Sequence, residues 1–199
     1  MWHQRLTLVV NTPSGEVSGS AVIKVSTRFF DPPQVFGSAE VVYHFTGEAV
    51  VIEVLPGKYL FALLGDPSEL FYAAARDRFA GLSRREWLSE IPKQTEPVEL
   101  TGDLIPMLVT FDDVTKPETV REVDPADLEA TFGPGYVLGP VTLAITGEPV
   151  TEGPVEAALV WLNNIWPDGL DGSRFRTAHA DSPLANSLGA NSFSTEIGE

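Results

Sequence analysis

The stretch "FDDVTKPETVREVDPADLEATFGPG", residues 111–135, sets Asp112, Asp113, Glu118, Glu122, Asp124, Asp127 and Glu129 against only Lys116 and Arg121. Carboxylate oxygens are what hard cations bind, and calcium takes about six to eight of them. If the turn after Phe111 brings the strand end onto the start of the next helix, Asp112, Asp113, Asp124 and Asp127 could converge on calcium or magnesium. A divalent-cation-binding protein or a metal-assisted hydrolase would follow. The regular spacing of an EF-hand loop is absent, however, and each acid has a structural duty open to it. Asp124 stands before Pro125 where a helix N-cap belongs, and Asp127 falls in the first turn, where the helix dipole favours negative charge. Gly133 and Pro134 end that helix, while Asp112 and Asp113 open a turn. Caps and turns are the reading this spacing favours, with the cation site as the alternative.

Other chemistries are narrowed by what residue types the chain holds. It has no cysteine, which removes thiolate nucleophiles, disulfides and iron–sulfur clusters. His3 is terminal, His44 lies in the apolar run "VVYHF" as an expected packing residue, and His179 lies near the C-terminus; no H-x-x-x-H or H-E-x-x-H joins them. Ser18 stands in "GEVSG", which is not G-x-S-x-G, and with Ser20 it falls in a hairpin rather than at a strand-to-helix elbow. Neither a P-loop nor G-x-G-x-x-G occurs. Acids are too numerous for any one pair to mark glycoside hydrolysis. Trp161 and Trp166 could form a sugar platform, but Trp161 shares an apolar helical face with Leu159 and Val160 and reads as core. Trp166, next to Pro167, is expected at the surface, and with His179 it is the candidate binding residue.

The elements that must position these residues follow from periodicity. "RLTLVVNT", "EVSGSAVIKVS", "AEVVYHF", "AVVIEVL" and "KYLFALL" are β-branched and aromatic runs divided by "TPSG", "DPPQVFG", "TGE" and "PG", which predicts an antiparallel β meander of about five strands over residues 1–65. "AVVIEVL" is expected to be covered on both faces. Residues 66–91 read as a helical pair: Asp66 as cap with Pro67 in the first turn, then Ser83 and Glu86 as a capping box. "PKQTEP" connects to a mixed strand and helix region, 98–166. There "LIPMLVTF", "REV" and "VLGPVTLAIT" are strands, and "PADLEATFG" and "GPVEAALVWLNNI" are helices. Residues 167–199 read as a polar surface tail anchored by Phe175, Leu184, Leu188 and Phe193. The fold class is α+β in one domain, 1–199, with short helices packed on the meander.

Charge is unevenly placed. The formal net charge is −15, and residues 96–199 hold four Lys/Arg against eighteen Asp/Glu. Such a surface repels phosphate backbones, so nucleic acid and anionic membranes are set aside as partners. No apolar run approaches the roughly 20 residues of a membrane span. "MWHQRLTLVV" lacks the parts of an export leader, so the chain as it stands is expected in the cytoplasm.

The run "LVTFDDVTKPETVREVDPADLEATFGPGYVLGPVTLAITGEPVTEG", followed by "VEAALVWL" and "LDGSRF", and the opening "WHQRLTLVVNTPSGEVSGSAV" resemble a family of bacterial proteins with no assigned activity. Many of its members look like lipoproteins with a leader ahead of the tryptophan equivalent to Trp2. The resemblance implies the periplasm or a lipid anchor as the alternative location, with the leader removed. The functional expectation is a non-catalytic accessory or interaction protein with a protein partner, envelope-associated or part of a phage-like assembly. The alternative is the hydrolase or cation-binding protein built on residues 112–127.

Overall fold

The computed structural model describes residues 1–30, 41–177 and 179–197, and the "DPPQVFG" turn lies outside them. In β1 (Trp2–Thr12) Trp2, Gln4, Leu6, Leu8 and Val10 are buried and alternate with half-buried neighbours, the period of two written in the sequence. β1 turns at Pro13 and Ser14 into β2 (Gly15–Phe29), with the register running from Thr12↔Gly15 to Trp2↔Val25. β3 (Val41–Thr46) pairs antiparallel along the other side of β2.

At residues 47–49 the chain leaves that sheet. β4 (Val50–Leu55) and β5 (Lys58–Ala62) form a hairpin in a second sheet, so the five antiparallel N-terminal strands are shared between two sheets, three and two. Later strands complete both. β6 (Val98–Glu99) and β9 (Val137–Thr146) extend the first to the order β3-β2-β1-β9-β6. β7 (Leu108–Phe111) and β8 (Val120–Val123) extend the second to β4-β5-β7-β8. All neighbouring pairs are antiparallel, and with the short helices below the protein is α+β. Among the described residues no helix is long and apolar enough to cross a membrane.

Two cores result, one on each face of the second sheet. Val50, Ile52, Val54, Leu60 and Leu108 face Leu6, Leu8, Ile23 and Leu143 of the first sheet. Phe61, Val109 and Phe111 face the other way, onto the C-terminal segment. β7 is thus buried at all four positions, whereas β4, at the sheet edge, leaves Glu53 exposed and is covered on both faces only in part. The sheets approach closely at Gly19 of β2, where an added Cβ would lie 2.6 Å from the Val51 carbonyl oxygen and 2.7 Å from Ile52 Cγ1.

The helices are shorter than the sequence predicts. Asp66 accepts a hydrogen bond from Ser68 N–H (2.9 Å) in a tight turn and caps no helix. The Pro67 carbonyl is held by the buried Gln4 amide (3.1 Å), so α1 (Leu70–Ala74) starts later. α2 (Arg84–Glu90) carries the expected Ser83/Glu86 capping box. α3 (Glu129–Phe132) follows β8. The helix expected over "GPVEAALVWLNNI" is broken into α4 (Pro154–Ala158) and α5 (Leu162–Ile165). Leu159 is driven fully into the core while Trp161 turns back to donate from Nε1 to the Val114 carbonyl (2.7 Å), and one continuous helix cannot satisfy both. Val160, expected on the apolar face, is 74% exposed, and Trp161 is half-buried.

The C-terminal segment is the third layer of the fold. Leu170, Ala185, Leu188, Ala190, Phe193 and Ile197 are buried beneath the second sheet, and α6 (Pro183–Ser187) lies within the segment. Phe193 meets Phe61 edge to face at 5.8 Å. Of the expected anchors, Leu188 and Phe193 are buried and Leu184 is half-buried, but Phe175 is 78% exposed. His44 is likewise exposed rather than packed, because β3 is an edge strand whose alternation turns Tyr43 and Phe45 toward the core.

Candidate functional site

The acids of residues 112–127 are each occupied locally. Asp112 pairs with Arg121 Nε at 2.8 Å across the β7–β8 hairpin. Asp113 Oδ1 accepts from the Thr115 hydroxyl (2.6 Å) and N–H (3.0 Å), and Lys116 Nζ lies 3.4 Å from its other oxygen. The Thr115 hydroxyl, foremost, holds the Asp113 carboxyl below its ordinary range. Asp124 accepts from Ala126 N–H (2.8 Å), a turn, while Asp127 accepts from Ala130 N–H (3.2 Å) at the start of α3. The capping duty therefore falls to Asp127, three residues later than the sequence suggests. Among the described residues no three His, Asp or Glu side chains gather to hold a metal ion, so the four acids do not converge as a calcium or magnesium site would require.

One carboxylate escaped the sequence reading. Glu48, in the link between the sheets, is fully buried; its two oxygens accept from Gly153 N–H (2.5 Å) and Val155 N–H (3.1 Å) at the start of α4. Burial, with a hydrogen bond to the Glu156 side chain adding to it, pushes the Glu48 carboxyl up to about 7. The signal was an acid set directly against the apolar run "AVVI" at the start of a strand, where an unpaired charge is not tolerated. The same link is bonded to the C-terminal segment through Ala49 N–H to the Phe193 carbonyl (2.7 Å). Glu48 thus ties together the β3–β4 link, α4 and the third layer.

A second network clamps the helical pair to the first sheet. The Tyr43 hydroxyl donates to Glu69 Oε1 (2.7 Å), which also pairs with Arg84. Burial first, then the Glu69 carboxylate, pushes the Tyr43 phenol up to about 12. It joins β3 to α2.

Trp166 and His179 are not brought together. They line separate hollows of the third layer that share Ser173. The hollow at His179, about 460 Å³, is bordered by Glu118, Asp171 and Asp181. The cleft at Trp166 measures about 210 Å³ and is lined also by Asp168, Arg174, Arg176 and Asn191. Trp166 is 46% exposed, and the Trp166–Pro167 peptide is cis.

Arg174 and Arg176 were passed over because single exposed arginines resemble any solvated surface. Scarcity was the available signal. Residues 96–199 hold only Lys116, Arg121, Arg174 and Arg176 as basic side chains, and the first two pair with Asp113 and Asp112. Among the described residues neither Arg174 nor Arg176 has a hydrogen-bond or carboxylate partner, and both open into the cleft's lining. The loop that carries them is held from beneath by Asn186, which is buried. Its Oδ1 accepts from Thr177 N–H (2.7 Å), and its Nδ2 donates to Asp171 Oδ2 (2.8 Å) and the Phe175 carbonyl (3.2 Å). Two guanidinium groups and one carboxylate, Asp168, line this cleft on a strongly acidic chain, with Asp171 held behind the wall by Asn186.

Compared with known proteins, the chain matches no family model, no curated protein and no solved structure.

Proposed function

We propose that this is a non-catalytic binding protein whose docking site is the Trp166 cleft. The observation that supports the reading is the pair Arg174 and Arg176: two cations without carboxylate partners among the described residues, in the half of the chain richest in carboxylates, beside a half-exposed indole. Guanidinium groups left in an acidic field hold their charge for an incoming group. The loop bearing them is fixed through Asn186, so little ordering remains to oppose binding.

Fluorescence tests this directly. Trp2 and Trp87 are buried and Trp161 is half-buried, so quenching by acrylamide reports mainly on Trp166. A panel of neutral and acidic saccharides, acidic dipeptides and nucleotides is screened for protection from quenching. At least one class should protect the wild type and fail to protect an Arg174→Ala/Arg176→Ala double variant. If every class leaves quenching unchanged, the cleft is not a binding site.

A further inference from the structure

We infer that the cleft takes a carboxylated sugar, a uronate-type ring at the end of or within an acidic saccharide. This rests on the binding role proposed above and narrows it to one ligand chemistry.

Size comes first. Clefts for drug-sized ligands run to roughly 300–1,000 Å³. At about 210 Å³, this one has room for a single ring-sized group and little more. A peptide would require an extended groove or an open strand edge. The lining belongs to loops and to α6, and its two glycine segments are already bridged to each other at Gly169 and Gly189.

The character of the walls then selects among ring-sized ligands. The exposed part of the Trp166 indole offers a flat apolar face of the kind that covers the C–H face of a pyranose. Around it, Ser173, Ser187 and Asn191 are exposed and can both donate and accept, as ring hydroxyls also do. Asp168 is an acceptor only, suited to hydroxyl donors and unfavourable to a ligand made of carboxylates alone. Arg174 and Arg176 present planar forks that match a carboxylate in two parallel hydrogen bonds. An aromatic face, hydroxyl partners and paired guanidinium groups together describe a sugar ring bearing one carboxylate.

Calorimetry on the full chain distinguishes the possibilities, with digalacturonate, its neutral counterpart digalactose, and the acidic dipeptide Glu-Glu as probes. Digalacturonate should bind at least about ten-fold more tightly than either other probe. Arg174→Gln and Arg176→Gln should each weaken it by about 10- to 100-fold, as loss of a charge-assisted pair does. Trp166→Ala should weaken all sugar binding, whereas Trp166→Phe keeps a ring and retains most of it. Every substituted side chain is exposed or half-exposed, and unchanged melting curves establish that each variant is folded. Equal affinity for digalactose overturns the carboxylate assignment and leaves a sugar-binding cleft. Tighter binding of Glu-Glu overturns the sugar assignment and leaves the binding role. Absence of heat with all three probes, together with a silent fluorescence panel, overturns both.

Discussion

Raising the pH from 5 to 8 should destabilise this protein, and the cause is Glu48. A free glutamate titrates near 4.5, whereas Glu48 in the folded chain titrates near 7 because it is buried against Glu156. Between those values the folded state holds a proton that the unfolded state has released, so the stabilisation is full below pH about 4.5 and is lost as pH rises through about 7. At about 1.4 kcal/mol per pK unit the shift gives an upper bound of about 3 kcal/mol, and relaxation around the half-buried Glu156 brings the expected value to about 2. For a chain of this size that is a fall in Tm of about 4–8 °C. Glu86 and Asp113, whose carboxyls lie below their ordinary values, act in the opposite sense, but only below pH about 4.5 and do not overlap this window. The assay is urea unfolding at pH 5, 6, 7 and 8. Glu48→Gln keeps an oxygen for Gly153 N–H and an amide donor for Glu156, loses the acceptor for Val155 N–H, and should cost about 1 kcal/mol at pH 5. Its stability should then be flat with pH, whereas Glu156→Gln should lessen the slope without abolishing it, since burial, the larger cause, remains. A Glu48→Gln variant that keeps the wild-type slope refutes the reasoning.

Three further outcomes are expected. Gly19→Ala places a methyl against the backbone of β4 and should lose about 1–3 kcal/mol; a loss below about 0.5 kcal/mol in urea unfolding means the sheets can separate there without strain. Phe193→Ala should lose about 3–5 kcal/mol, since the ring is fully buried between Phe61 and Phe111, and a near-neutral change would show that the third layer is not part of the cooperative unit. Asp127→Ala should lose about 0.5–2 kcal/mol with Asp127→Asn restoring most of it, and millimolar calcium should leave the melting of the wild type unchanged; failure of Asn to rescue, with a calcium-dependent rise in Tm, would restore the cation-site reading.

Local features were legible in the sequence wherever local physics decides them. The alternation of β1 and the Ser83/Glu86 box are satisfied within a few residues of themselves. The partition into two sheets depends on pairings such as His3 with Thr146, which no window of the sequence contains. Asp66 and Asp124 show the same limit at shorter range: both acids find a backbone N–H two residues on, and whether that makes a turn or a cap depends on what holds the next turn of chain. The third layer was legible only in its anchors Leu188 and Phe193; Leu170, Ala185 and Ala190 are buried in loops and one short helix with no period to betray them. At the site, Trp166 was legible from its place beside Pro167. Arg174 and Arg176 were signalled by the scarcity of basic residues in 96–199, but the ion pairs of Lys116 and Arg121 were needed to single them out.

The central position of β1 shapes how the chain must reach its native state. β1 is flanked by β2, which follows it at once, and by β9, whose Val137–Thr146 comes more than a hundred residues later. During synthesis the β1–β2 hairpin can form early, yet β1 then presents an unpaired edge until residue 146 has emerged. Long-range closure of this kind is slow, and the waiting edge is a template for pairing with another chain. The open side shows Arg5 and Thr7 beside Leu6 and Leu8, and Arg5 is the one charge among those four. Its partner in the finished fold is Glu148, just beyond β9, so the residue that guards the nascent edge is neutralised by the segment that closes it.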